Sequence, residues 1–194
     1  VLYGAPDARI DRRTQRISSP SGGEFGHSAR LTDLDGDGFS DVAIGSYGRF
    51  WTFRGTPTGI DVFGTVERRV GFSDGTSCGA DVPQLRAGDM DGDGRGDVVA
   101  NRCAAVSFFL SNGTPLVSNT PRWFVGSANG RDRIGSSMIP GDMNGDGWDD
   151  LLTSMWTRSS NPPFALNLHL LRGAGVEAPD WSWDVAMPPD LDLD

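Results

Sequence analysis

The 194-residue sequence predicts an all-β fold. Its 27 glycines and 12 prolines form turn-like clusters, which are typical of a chain with many short strands. The apolar residues between these clusters come in short runs with rough alternation, such as DVAIGSY and RFWTFRG, and this pattern favours strands over helices. An acidic nine-residue segment also occurs three times, which indicates a repeated supersecondary unit.

The three acidic segments, called here the first, second and third loops, read DLDGDGFSD at 33–41, DMDGDGRGD at 89–97 and DMNGDGWDD at 142–150. Carboxylates, or one amide, occupy positions 1, 3, 5 and 9, and glycines occupy positions 4 and 6. Alternate oxygens around a tight turn form the cage that Ca²⁺ prefers, and glycine permits the positive φ of the turn. Position 7 can offer only its main-chain oxygen, so its side chain is expected to be free to vary. Asn144 supplies a neutral oxygen at position 3, so the third loop is expected to bind more weakly.

The EF-hand is the main competing interpretation, because it shares the D-x-D-x-D-G pattern. An EF-hand needs a bidentate Glu at position 12 and flanking helices. Here position 12 is Ile44, Ala100 or Thr153, and the flanking segments resemble strands. The sequence therefore excludes the EF-hand at all three loops, together with tandem calcium repeats that also need an acid at position 12.

Each loop lies between two predicted strands, and two further strands follow before the next repeat. Four antiparallel strands in roughly 50 to 55 residues are typical of a propeller blade. We predict a single partial β-propeller over 1–194, with three four-stranded blades and a fragment of a blade at each end. The predicted segments are 1–20 for the end of a preceding blade, 21–73, 74–126 and 127–186 for the three blades, and 187–194 for the start of a next blade.

The predicted number of blades is too small to close a ring, because propellers take about four to eight. The residues Asp192-Leu193-Asp194 look like positions 1 and 3 of a fourth loop. We therefore expect a fragment of a longer propeller, in which other blades of the same propeller meet the open ends. An assembly completed by a second chain is the alternative.

An apolar-Gly pair precedes each loop, as Phe25-Gly26, Cys78-Gly79 and Ile134-Gly135. These pairs, the D-x-[DN]-x-D-G-x-x-D loop and the strand after it resemble FG-GAP repeats, the propeller blades of integrin α subunits and of many bacterial surface proteins. The resemblance implies one structural Ca²⁺ in each of the three loops. The ligands that it implies are Asp33, Asp35, Asp37, Phe39 and Asp41, then Asp89, Asp91, Asp93, Arg95 and Asp97, then Asp142, Asn144, Asp146, Trp148 and Asp150. Phe39, Arg95 and Trp148 would contribute main-chain oxygen only.

Cys78 and Cys103 are the two cysteines of the chain. Cys78 begins the first predicted strand of its hairpin and Cys103 ends the second, so antiparallel pairing would bring them within reach of a disulfide. A disulfide together with calcium sites indicates an extracellular, periplasmic or cell-surface location. Two buried free thiols are the alternative.

The composition argues against several classes of function. The formal charge of −9 comes mainly from Asp, and no basic stripe is present to neutralise phosphates, so we expect no nucleic-acid partner. No apolar run approaches the roughly 20 residues that cross a bilayer. No Ser-His-Asp spacing, G-x-S-x-G elbow or phosphate loop occurs, and we expect no enzyme. The Arg95-Gly96-Asp97 triplet is expected to serve the second loop and not adhesion, because Asp97 is position 9 of that loop.

We expect a secreted or cell-surface, calcium-stabilised module for interaction or adhesion. Its partner would be a protein or another macromolecule, bound opposite the loops or in grooves between blades. A propeller lectin that binds a glycan is one alternative, because six Trp and ten Phe could supply a stacking platform, although such residues more often fill the space between blades. The non-catalytic propeller part of a larger extracellular enzyme is another.

Overall fold

The computed structural model describes residues 2–4, 10–20, 24–69, 82–102, 105–113, 116–118, 120–126, 133–157, 165–171 and 183–186. Within these ranges the chain forms β-strands joined by turns, and none of the residues is helical. The prediction of an all-β fold is confirmed. In the same ranges, no helix is long and apolar enough to cross a membrane.

A two-stranded sheet of β1 (Leu2–Gly4) and β2 (Ile10–Thr14) comes first in the chain. Three four-stranded antiparallel sheets follow, called here the first, second and third sheets. The first sheet consists of β3 (Ala29–Thr32), β4 (Asp41–Ser46), β5 (Arg49–Thr56) and β6 (Gly59–Arg69). The second begins with β7 (Gln84–Gly88), β8 (Asp97–Arg102) and β9 (Ala105–Phe109). A small hairpin of β10 (Ser111–Gly113) and β11 (Leu116–Val117) then precedes its last strand, β12 (Trp123–Gly126). The third sheet consists of β13 (Arg133–Gly141), β14 (Asp150–Thr157), β15 (Ala165–Leu171) and β16 (Trp183–Ala186).

Each acidic loop connects the first two strands of its sheet, as the sequence predicted. The pairs that close the loops are Thr32 with Asp41, Gly88 with Asp97, and Gly141 with Asp150. All three loops therefore have the same register, with position 9 as the first residue of the second strand. This shared register gives the three copies the same local geometry.

The hairpin that follows differs between the first two sheets. In the first sheet, β5 and β6 form one hairpin with a register shift between Thr52 and Arg54. In the second sheet, β9 ends at Phe109, and β10 pairs only with β11. Leu116, at the start of β11, has a φ of 61°. The second sheet thus carries a separate hairpin beside its acidic loop.

The second sheet packs between the other two. Successive side chains of β8 point to opposite faces, so Val98 joins a buried cluster with Phe50 of the first sheet, and Val99 joins one with Leu151 of the third. The first of these clusters consists of Leu34, Ala43, Phe50, Leu85, Val98, Ala100, Phe109, Leu116 and Val117. The other consists of Met90, Val99, Val106, Phe108, Ile134, Met138 and Leu151. These two apolar layers hold neighbouring sheets together.

The opposite face of the first sheet is covered by the segment that precedes it. Ile17 and Phe25 pack there against a cluster that includes Trp51 and Phe53. The Gln15 side chain also accepts a hydrogen bond from the Ile60 N–H at 2.8 Å and donates one to the Ile60 carbonyl at 2.5 Å. Trp51 therefore fills the core, as expected of strand tryptophans. The side chains of Trp123, Trp156, Trp181 and Trp183 lie outside the described part of the molecule.

Candidate metal-binding loops

The first aspartate of each loop organises the turn. In the first loop, the N–H groups of Gly36 and Asp37 donate to Asp33 Oδ1 at 2.8 and 3.1 Å, and that of Gly38 donates to Asp33 Oδ2 at 2.8 Å. Asp89 and Asp142 accept equivalent bonds in the other loops. The glycines at positions 4 and 6 have φ between 70° and 91°, a region that only glycine adopts readily. The prediction that these glycines permit the positive φ of the turn is confirmed.

The turn brings carboxylates from different positions together. In the first loop, oxygens of Asp33, Asp35 and Asp37 lie within 4.8 Å of one another. In the second loop, oxygens of Asp89, Asp91 and Asp97 do so. Two like charges at about 4 Å repel each other by roughly 1 kcal/mol even in bulk water. Both clusters could therefore hold a metal ion.

The third loop carries less negative charge at the same positions. The Asn144 amide donates a hydrogen bond to Asp146 Oδ2 at 2.8 Å. The pKa of Asp142 is lowered, chiefly by the hydrogen bond from the Gly147 N–H. The weaker cation binding expected of this loop from its neutral Asn144 oxygen stays a prediction.

The aspartate at position 9, called here the closing aspartate, is fully buried in every loop. In the second loop, Asp97 accepts the Met90 N–H on Oδ2 at 2.8 Å and the Ser111 N–H on Oδ1 at 2.7 Å. Asp41 accepts the N–H groups of Leu34 and Gly55 in the same way. Burial raises the pKa of Asp97 to about 7, although the two N–H donors oppose this shift. In the first two loops the closing aspartate therefore ties its loop to a later segment, at Gly55 on β5 and at Ser111 on β10.

The apolar side chain at position 2 anchors the first two loops. Leu34 is fully buried between the first and second sheets, and Met90 is 2% exposed between the second and third. Met143, at the same position of the third loop, is 45% exposed. Sequence reasoning missed this role, although an apolar residue between two aspartates is a visible signal.

Arg54 and Arg95, both in the described part of the chain, pair with loop carboxylates. Arg54, on β5, places Nε 2.8 Å from Asp35 Oδ2 and a terminal nitrogen 3.1 Å from Asp37 Oδ2. Arg95, at position 7 of the second loop, pairs with Asp93 of the same loop. Arg54 was not predicted, because it lies far from the loop in sequence and the first repeat gives no sign of their contact.

Asp91 provides the clearest test of whether a cation fits these loops. Its Oδ1 is buried and has no hydrogen-bond partner among the residues that the structure describes. Burial raises the pKa of Asp91, and the charges of Asp93 and Asp89 raise it further. A carboxylate in this position is stabilised by a positive charge beside it. The all-oxygen donor set of the loop suits a hard cation such as Ca²⁺.

Neighbouring loops contact each other through positions 7 and 8. The N–H of Gly96 donates to the Asp33 carbonyl at 2.8 Å, and that of Asp149 donates to the Asp89 carbonyl at 2.7 Å. The Asp149 carboxylate also accepts the Asp89 N–H at 2.9 Å. Each of these bonds joins position 8 of one loop to position 1 of the loop before it.

The side chains at position 7 are less free than expected. Arg95 lies against Gly36 of the first loop, where an added Cβ would come within 3.4 Å of Arg95 Cγ. Trp148 lies against Gly92 of the second loop, where an added Cβ would clash with the indole ring of Trp148. The glycine at position 4 therefore also makes room for the next loop, which the sequence prediction did not include.

The apolar-Gly pairs have a packing role and a turn role. Phe25 stacks edge-on with Trp51 and Phe53, at centroid distances of 5.5 and 6.1 Å. Ile134 is 1% exposed in the layer between the second and third sheets. Gly26 and Gly135 have φ values of 92° and 85°. The remaining pair, Cys78-Gly79 before the second loop, lies outside the described residues, as do Cys103 and the predicted disulfide.

The remaining predicted site residues are placed as follows. Phe39 and Trp148, at position 7, are 40% and 38% exposed. Asp97 of the Arg95-Gly96-Asp97 triplet has no exposed surface, so its carboxylate is not presented to a partner. The predicted start of a fourth loop at 192–194 falls in a range that the structure does not describe.

Comparison with known proteins identifies the repeat. The profile of the FG-GAP-like repeat matches residues 33–100 and again 89–153, and the two matches together span more than half of the chain. Both matches begin at position 1 of an acidic loop and include the strand after it. A search of curated proteins gives no match.

Proposed function

The chain belongs to the FG-GAP repeat family, and we propose that it is a calcium-stabilised propeller module that mediates interactions outside the cell. Repeats of this family are typical of extracellular proteins and often bind calcium. The three four-stranded sheets would be three blades of the propeller. Other blades, from the same polypeptide or a second chain, would complete the ring.

The observation that carries the calcium proposal is the buried, unpartnered oxygen of Asp91 within a cluster of carboxylates. In the second loop, Asp89, Asp91, Asp93 and Asp97 would hold the ion together with the main-chain oxygen of Arg95. The corresponding residues of the other loops would hold two more ions. Bound calcium would supply the positive charge that offsets repulsion within each loop.

An extracellular location fits sites of this kind. Calcium sites of extracellular modules bind with dissociation constants of about 10⁻⁴ to 10⁻³ M, which suits the millimolar calcium outside cells. The proposed disulfide between Cys78 and Cys103 would need an oxidising compartment. We propose no catalytic role, and a protein or another macromolecule is the proposed partner.

Calcium titration tests the proposal directly. The protein is first treated with a chelator and then titrated with Ca²⁺ by calorimetry, while its thermal unfolding is followed in parallel. We expect three sites and a rise in Tm on the order of 10 °C at tenfold excess over the dissociation constant. An equal concentration of Mg²⁺ is the control for ionic strength and should raise Tm much less. Absence of both heat and Tm shift at 10 mM, roughly ten times the weakest expected dissociation constant, would overturn the proposal.

A carbohydrate-binding role is the second candidate. A cavity of about 390 Å³ lies beside the second loop, lined by Asp91, Leu110, Ser111, Asn112, Ser118, Thr120, Pro121 and Arg122. Its hydroxyl, amide and guanidinium groups are suited to sugar hydroxyls. A glycan array with the calcium-loaded protein tests this role, and substitution of Asn112 by Leu should abolish any hit. An array without hits would leave the protein-interaction role as the proposal.

A further inference from the structure

Arg54 and Leu110 occupy equivalent places beside the first and second loops. The residue after each donates its N–H to Oδ1 of the closing aspartate, Gly55 to Asp41 and Ser111 to Asp97, both at 2.7 Å. The side chain of residue 54 therefore reaches the first loop, and residue 110 is its counterpart at the second loop. The first repeat has a cationic side chain at this place, Arg54, whereas the second has an apolar one, Leu110.

At the first loop, Arg54 already supplies a positive charge to the carboxylates. Its guanidinium contacts Asp35 at 2.8 Å and Asp37 at 3.1 Å, two of the three members of the metal-binding cluster. The Asp35 side chain is only 5% exposed, whereas that of Arg54 is 51% exposed. Arg54 thus contacts the loop carboxylates from the solvent side.

At the second loop, the guanidinium of Arg95 pairs with Asp93, although its charge also acts on Asp91 and opposes the rise in pKa that burial causes there. Leu110 and Asp91 line the same cavity, and within the described part of the chain Asp91 Oδ1 has no hydrogen-bond partner. The second loop therefore keeps a carboxylate oxygen for a cation from solution.

We propose that Arg54 is an internal competitor of calcium, so that the first loop binds Ca²⁺ more weakly than the second. The inference rests on the calcium binding proposed above. A calcium ion and the Arg54 guanidinium compete for the negative charge of Asp35 and Asp37, because Arg54 contacts Oδ2 of both carboxylates. Leu110 imposes no such competition, and at the second loop Arg95 pairs with one proposed ligand, Asp93, whereas Arg54 contacts two at the first. The residue beside the loop, Arg54 or Leu110, would then make the calcium affinities of the first and second loops differ.

An exchange of the two residues tests the inference in single-site proteins. Asp91→Ala with Asp146→Ala leaves the first loop as the intact site, and Asp35→Ala with Asp146→Ala leaves the second. In the first background, Arg54→Leu should raise calcium affinity about fivefold, the scale of one exposed ion pair. In the second background, Leu110→Arg should lower it by a similar factor. Calorimetric titration with CaCl₂ gives both values.

The controls separate charge from folding. Arg54→Gln keeps a polar side chain of similar reach without the charge, so it should also raise affinity. Arg30→Leu removes a cation from β3 of the same sheet and should leave affinity unchanged. In excess chelator, Arg54→Leu should lower Tm by about 1 to 3 °C, because Asp35 and Asp37 lose their partner. The opposite signs of the two effects distinguish competition from general damage.

Each outcome decides between the two proposals. If the intact protein binds no Ca²⁺, the proposed function fails. If it binds Ca²⁺ but Arg54→Leu and Arg54→Gln leave the affinity of the first loop within twofold, Arg54 is not a competitor and this inference fails alone. A fall in affinity for both variants would show that Arg54 instead supports the bound state.

Discussion

The aspartates at positions 9 and 5 of each acidic loop behave differently. The closing aspartate is fully buried, and in the first two loops both of its oxygens accept backbone hydrogen bonds. The aspartate at position 5 lies in the exposed part of the loop, with 26% of the Asp93 side chain open to solvent, and its side-chain partner is an arginine in the first two loops and Asn144 in the third. Both positions are proposed metal ligands, but the closing aspartate also holds buried backbone N–H groups of the fold. The following predictions test this difference.

The largest expected effect is from loss of a closing aspartate. Asp97→Ala should lower the free energy of unfolding by about 4 kcal/mol, because the buried N–H groups of Met90 and Ser111 each lose an acceptor at about 1 to 3 kcal/mol. Urea unfolding in excess chelator measures this without a contribution from calcium. Asp93→Ala is the matched control and should cost less than about 1 kcal/mol. Similar losses of unfolding free energy for the two variants would show that positions 9 and 5 contribute equally to stability.

The next effect concerns the glycine at position 4. Gly92→Ala should lower the free energy of unfolding by about 2 to 3 kcal/mol, since the new methyl group both strains a positive φ and displaces Trp148. Gly94→Ala has a similar φ but nothing within 4 Å of the added Cβ, so it should cost only about 1 kcal/mol. Urea unfolding gives the difference, and tryptophan fluorescence of the folded protein should change only for Gly92→Ala. Equal losses of unfolding free energy for the two variants would mean that the Trp148 side chain moves aside without measurable cost.

Asp91→Asn should separate calcium affinity from stability. We expect roughly a tenfold loss of affinity at the second loop, because one carboxylate charge is removed from the cluster. In excess chelator the same variant should gain about 0.5 to 1 kcal/mol of stability, since repulsion from Asp89 and Asp93 is relieved. Calorimetry and urea unfolding report the two quantities. A loss of stability in chelator would show that the Asp91 carboxylate stabilises the fold, as the closing aspartates do.

The smallest expected effect is at the contact between loops. Asp149→Ala removes the acceptor of the Asp89 N–H and should lower the free energy of unfolding by about 1 kcal/mol. Ser40→Ala changes the same position of the first loop, where the side chain is exposed, and should be nearly neutral. Thermal unfolding of both variants at matched calcium measures the difference. A neutral Asp149→Ala would show that the backbone bonds alone couple the loops.

Much of this arrangement could be predicted from the sequence, because its determinants are local. The spacing of the aspartates fixes the turn, and Gly36 and Gly38 adopt the positive φ that the pattern demanded. The apolar residues of β4 alternate between the two faces of the first sheet, with Val42 and Ile44 on one and Ala43 on the other, as short alternating runs predict.

The contacts that were missed join residues from different repeats or distant strands. Arg54 meets Asp35 only after β5 has folded back along β4, and Trp148 meets Gly92 only when two sheets pack together. Neither contact has a fixed residue type, since the counterpart of Arg54 is Leu110 and that of Trp148 is Arg95. A pattern search that compares copies of a repeat can detect shared residues, but these partners differ between the copies.

The bonds from position 8 of one loop to position 1 of the loop before it restrict how loop length can change. The Gly96 to Asp33 bond and the Asp149 to Asp89 bond both require a loop of unchanged length. An insertion or deletion of one residue would disturb the register that closes its own hairpin and the alignment with the adjacent loop. Point substitutions at positions 2 and 7 leave that alignment intact, as the differences among the three copies illustrate. Protein engineers who wish to graft a longer loop onto one repeat would therefore have to redesign its neighbour as well.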